Sequence, residues 1–237
     1  TTEIYTLSLH DALPICDVSV EAIATVSGSA EAQTTSVAAA IGSAVGGAAA
    51  VNNINNVVDA HVSDTTISAD DVTITAKQNA TVTALTKQSS AAIGSVSGTA
   101  VSANNFGSSV SATAQSSNIE ADGNILIDAD SQTTIEKNEA AGSAAGFTTA
   151  LAGSVGINQV SNNVLAAVQG GTLVADGSAA ILANSTTDIE SKGGTTSAGL
   201  IGAGGTVVTN TIDNNTRALV LDNALVSANA DPTSVLS

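Results

Sequence analysis

Few residues in this 237-residue chain have the type and spacing that chemistry needs. His61 stands alone, with no second histidine and no cysteine near it in sequence, and one ligand does not make a metal or catalytic site. Asp70-Asp71, Asp122-Gly123 and Asp176-Gly177 place carboxylates at regular intervals. Such groups could hold calcium, but the glycine-rich nonapeptide of calcium-binding β-rolls is missing, so they read as solvated tight turns. Gly202-Ala203-Gly204-Gly205 lacks the lysine and the strand–helix setting of a phosphate loop. No catalytic, cofactor-binding or metal-binding residue is assigned, and no cofactor is expected.

The most regular feature is a column of asparagines. Val51-Asn52-Asn53-Ile54-Asn55-Asn56-Val57-Val58-Asp59-Ala60 returns at 102–114, 156–168 and 209–220. Alignment puts Asn52, Asn104, Asn158 and Asn210 in one column, and Ile54, Phe106, Val160 and Ile212 in a second. Ala60, Ala112, Ala166 and Ala218 form a third. The asparagine spacings are 52, 54 and 52 residues, the signature of a repeat architecture. The asparagines could form a ligand surface. They are read here as structural repeat corners, because asparagine tolerates left-handed backbone and its amide can satisfy unpaired backbone groups.

Each unit must position that column with strands. Asp71-Val72-Thr73-Ile74-Thr75-Ala76 alternates apolar and polar residues, as a strand with one buried face does. The same slot holds Asp17–Ala22, Asn124–Ala129 and Ser178–Ala183. A second alternating piece follows at Ala80–Leu85, then a Gly/Ala/Ser stretch, the asparagine segment and a closing strand. Alanine favours helix in runs such as Val37–Gly42. Glycine interrupts these runs, caps are missing, and Gly202–Thr209 makes a poor helix, so strand is expected throughout.

Recurring strands with short turns and almost no proline predict an all-β fold, a parallel β-solenoid of four repeats of about 54 residues. The units are 17–70, 71–123, 124–177 and 178–230, with 231–237 the start of a further one. Two coils of about 27 residues per unit are favoured, which would stack to about 40 Å; three coils of about 18 stay open. Coils at the ends of such a stack expose unpaired strand edges.

Composition fits a thin core of small and β-branched side chains. Thr1–Ile15 stands apart: a sequencing-adapter oligonucleotide translated in frame encodes these fifteen residues without mismatch, so 1–16 is treated as an artefact outside the fold. On that reading the chain is a fragment. Without Glu3 and Asp11, 19 acids face five bases, a net charge of −14. That argues against a nucleic-acid partner and against an anionic membrane surface. No stretch is long and apolar enough to insert in a bilayer.

The units resemble those of large bacterial surface adhesins of the leukotoxin-type filamentous class. They also resemble, more loosely, filamentous-haemagglutinin and autotransporter passengers. Gly205–Ala218, Val226-Ser227-Ala228 and Val155–Val164 carry the likeness, which covers about Asp17 to Ala230. It implies a secreted, outer-membrane-anchored stalk on a Gram-negative cell, exported by type V secretion. The partners would be a host or neighbouring-cell glycan or protein, and neighbouring repeats of the same chain. The alternative is a carbohydrate-active β-helix enzyme of the pectate-lyase kind. That needs clustered carboxylates, bases and stacking aromatics, whereas the acids here are scattered and only Phe106 and Phe147 remain outside the first fifteen residues.

Overall fold

The structure is a computed structural model. It describes residues 3–6, 16–38 and 42–229. The expected start of a further unit at 231–237 lies outside the described residues, as do 7–15.

The chain is a parallel β-solenoid, with no α-helix among the described residues. Its strands are β1 (Glu3–Thr6), β2 (Val18–Ala38), β3 (Ala44–Ser63), β4 (Thr66–Ala69), β5 (Val72–Ala92) and β6 (Val96–Ala121). They continue as β7 (Ile125–Gly146), β8 (Thr149–Ala175), β9 (Ala179–Ala198), β10 (Ile201–Leu221) and β11 (Leu225–Ala228). Strands β2, β5, β7 and β9 form one sheet, called the charged sheet below. The other, called the smooth sheet, runs β1-β3-β6-β8-β10, with β4 on β6 and β11 on β8. Every pairing is parallel.

The alternation in the sequence explains the strands. In β6 buried residues alternate with more exposed ones along most of its length, so one face of each sheet looks inward and the other outward. The Gly/Ala stretches of β3, β6 and β8 continue this alternation and are strand, because recurring glycines offset the helix preference of alanine.

The register reproduces the sequence columns. Asn52 pairs with Asn104, Asn104 with Asn158, and Asn158 with Asn210. Ile54, Phe106, Val160 and Ile212 are likewise in register, and so are Ala60, Ala112, Ala166 and Ala218. On the other sheet Val18, Val72, Ile125 and Ala179 pair in turn. Among the described residues the one register shift is a bulge in β7, where one extra residue falls between Ile135 and Asn138.

Two expectations fail. Each unit makes one coil, not two: the strand that pairs with β3 is β6, a whole unit away. Asp71–Ala76 and Gly98–Ala103, half a unit apart and alike in alternation, lie in opposite sheets. The stack is therefore short and its coils wide. Four strands span about 14 Å, while a strand of 21 residues such as β5 runs about 70 Å. The molecule is a two-layered plank.

The second correction concerns the corners. Asn52, Asn104, Asn158 and Asn210 sit inside strands. Positive φ falls instead at Asp64, Ser116, Gly170 and Asp222, another column at the repeat spacing. There the chain changes direction between Val62 and Ile67, so that β4 and its equivalents face the same core as β3. The Asp joints at 70–71, 122–123 and 176–177 form the turns between units.

Residues 3–6, set aside on their sequence, lie beside β3 with Glu3 opposite Val58 and Thr6 opposite His61.

Candidate functional site

The asparagine column is the centre of a buried polar network. Asn52 Nδ2 donates to Asn104 Oδ1 at 2.8 Å, Asn104 Nδ2 to Asn158 Oδ1 at 3.0 Å, and Asn158 Nδ2 to Asn210 Oδ1 at 2.8 Å. Parallel in-register pairing sets this up, because it stacks identical amides with donor over acceptor. The charged sheet completes the set. Asn52 Nδ2 also donates to the Thr83 carbonyl at 2.6 Å, and Asn138 Nδ2 donates to Asn158 Oδ1 at 2.7 Å. Asn158 Nδ2 donates to Ser191 Oγ at 2.5 Å, and Ser191 in turn donates to Asn210 Oδ1 at 2.9 Å.

A second polar layer was missed in the sequence. Asn56 donates to Gln78 Oε1 at 3.3 Å, and Ser108 donates to Asn162 Oδ1 at 2.7 Å. Asn162 reaches Thr133 and Thr187 across the core, each at 3.3 Å. The signal was present as Asn56, Asn162 and Asn214 four residues after each ladder position. Between the two polar layers lies an apolar band of Val82, Phe106, Ile135 and Val160.

His61 is not alone in space. Its Nδ1 lies 2.9 Å from Asp59 Oδ2, and the Ser111 hydroxyl donates to Asp59 Oδ1. The order is serine–aspartate–histidine, with the carboxylate in the middle. A serine nucleophile needs its proton taken by the imidazole, and here that proton points to the carboxylate. The trio binds two neighbouring strands across the outer face of the smooth sheet.

At the first joint the Asp71 carboxylate is engaged in the turn. Asp71 Oδ1 accepts from the Asn124 backbone N–H at 2.6 Å and from its side-chain amide at 3.2 Å. One unit on, Asn124 Oδ1 accepts from the Ser178 N–H at 3.0 Å and its hydroxyl at 2.7 Å. Each joint thus caps the next. Among the described residues no three His, Cys, Asp or Glu side chains gather as a metal site would require.

No family model, no curated protein and no solved structure matches the chain.

Two of the depressions on the outer faces stand out. One, about 360 Å³, lies on the charged sheet, floored by Ala141, Gly142 and Gly194 and flanked by Lys87, Glu139 and Lys192. The other, about 230 Å³, lies on the smooth sheet between Leu165, Arg217, Leu219 and Leu221. Both are shallow hollows where small residues fall between longer ones. The buried asparagine amides are directed at neighbouring coils, so the arrangement holds coils in register.

Proposed function

We propose that this chain is a structural and adhesive repeat segment of a large secreted bacterial surface adhesin. The observation that carries the reading is the stacking of like on like. Four units place asparagine on asparagine and alanine on alanine, and on the charged sheet Val20, Ile74, Ile127 and Ile181 stack in turn. A unit that recognises its own copy above and below is a unit for extension. On this reading the chain works at the surface of a Gram-negative cell and meets a glycan or protein of a host or neighbouring cell. One coil per unit sets the scale. Each unit of about 54 residues adds about 4.8 Å, so a projection of about 100 Å along the stack needs roughly twenty units.

The test uses the chain coupled to beads and offered to cell surfaces and immobilised glycans. Retention that scales with chain density is expected, with polygalacturonate and related glycans left intact. Release of shortened sugars would replace the structural reading with the enzymatic one. A bead without affinity for any surface would restrict the segment to a stalk.

A further inference from the structure

The two outer faces differ in charge, and the smooth sheet has one region with none. In the first halves of β3, β6, β8 and β10 the outward positions form four rows across the sheet, from Val45 to Val51 and their partners. No charged residue occurs at these positions. One row is Gly47, Thr99, Gly153 and Gly205. A Cβ placed at Gly205 would meet nothing within 4 Å, so the row is a groove floored by backbone over Gly153 and Gly205, bounded by the Thr99 side chain, which lies within 4 Å of where a Gly153 Cβ would stand. A ridge of Val101, Val155 and Val207 runs beside it. Val207 is 57% exposed and Leu151, on the far side of the groove, 47%.

We propose that this face docks a second copy of the same chain, face to face about a two-fold axis, with Val155 and Val207 of each copy seated over Gly153 and Gly205 of the other. Three observations favour that occupant. The groove and ridge lie side by side, so a two-fold rotation can bring each against the other. The chain carries a net charge of −16, so two copies repel except where neither presents a carboxylate, and these rows meet that condition. The area suffices: four rows by four strands cover about 500 Å² per copy, or about 1,000 Å² in the pair, at the threshold for a specific interface. These rows carry no aromatic residue, which makes a sugar a poorer fit, because the apolar C–H face of a sugar stacks on aromatic rings. The inference is independent of the adhesin reading, since it concerns the chain's affinity for itself.

Sedimentation velocity of the whole chain from low to high micromolar concentration tests it. The wild type should pass from monomer to a closed dimer. Gly205→Glu, at a position with open space around it, should remain monomeric while keeping its circular dichroism and melting curve. Val155→Glu should do the same, and Thr81→Glu on the charged sheet should dimerise like the wild type. A wild type that stays monomeric overturns the proposal. So does a Gly205→Glu variant that still dimerises. A mass that keeps growing with concentration overturns it too, because that marks end-on pairing of open strand edges in place of a closed pair.

Discussion

The interior of the coil is built in two ways, and the contrast shows what each is for. At one end, where β2, β5 and β7 begin and β3, β6 and β8 turn back, the core is mostly apolar, with Thr65 and Ser117 buried at its turn. Ile74 and Ile127 pack there with Val58, Val110, Val164, Ile67 and Ile119, all buried. Three inward runs of each coil meet at this end, so branched side chains can fill the space. In the middle, only two strands of each coil face one another. There the chain alternates amide layers with the Phe106 band. Apolar columns stabilise by area removed from water and tolerate a slip, since one isoleucine packs on another at many offsets. Amide columns do not tolerate it, because a slipped asparagine leaves buried donors without acceptors. The apolar end supplies stability, and the amide layers fix register.

The largest effect tests the first half of that contrast. Ile127→Ala removes a fully buried side chain from a column closed above and below, and should cost about 2–5 kcal/mol in denaturant unfolding. The coil should keep its register, so the β signal in circular dichroism should persist until the transition. A cost under 1 kcal/mol would mean that this end is loosely packed.

Next comes the ladder. Asn158 is buried and takes part in bonds with Asn104, Asn138, Ser191 and Asn210. Asn158→Ala should cost about 2–3 kcal/mol, because it orphans the Asn104 amide inside the protein. Asn210→Ala changes the same column where the residue is exposed, and should cost under about 1 kcal/mol. The ratio is the measurement. Equal losses at the two sites would show that burial does not set the ladder's value.

The turn column gives a smaller effect, of the opposite sign. Ser116 holds φ at 48°, where an L side chain is strained and glycine is not. Its repeat equivalent is Gly170. Ser116→Gly should stabilise by up to about 1 kcal/mol, and thermal melting reads it. A loss would show that the hydroxyl, not the backbone, matters at this turn.

The sequence made the columns legible because parallel stacking forces a side chain to meet its equivalent one unit away. The 52- and 54-residue spacings are therefore the register itself. It hid the coil length because a period of two is the same in either sheet. Nothing in Gly98–Ala103 says that it faces Ser143 and Gln88 across the core and not Asp71–Ala76 beside it. Glycine at 98 does carry a trace of that geometry, since a Cβ there would overlap the Gln88 side chain. The corner was misplaced for a related reason. Asparagine is favoured both by left-handed backbone and by buried amide ladders, and residue type alone does not separate the two. Gly170-Gly171 marked the true turn, but only one unit of four has it.

The smallest effect extends the comparison to the outer surface, where carboxylates of the charged sheet stand in the place the amides hold inside. Asp128 lies 3.8 Å from the Lys77 ammonium. Its carboxyl is nevertheless held above the ordinary value of 3.8, because burial against its neighbours outweighs the pull of Lys77, and Asp130 adds to the rise. The folded state therefore binds this proton more tightly than the unfolded one. The contribution of Asp128 to stability is full below pH 3.8 and is lost as pH rises through the raised value. Asp128→Asn removes that loss. The variant should melt slightly higher than the wild type at neutral pH, and the gap should close as pH falls below 3.8. A gap of the reverse sign at neutral pH would mean that the ion pair with Lys77 outweighs desolvation. This outer position would then stabilise by charge, where the interior amides do so by pairing.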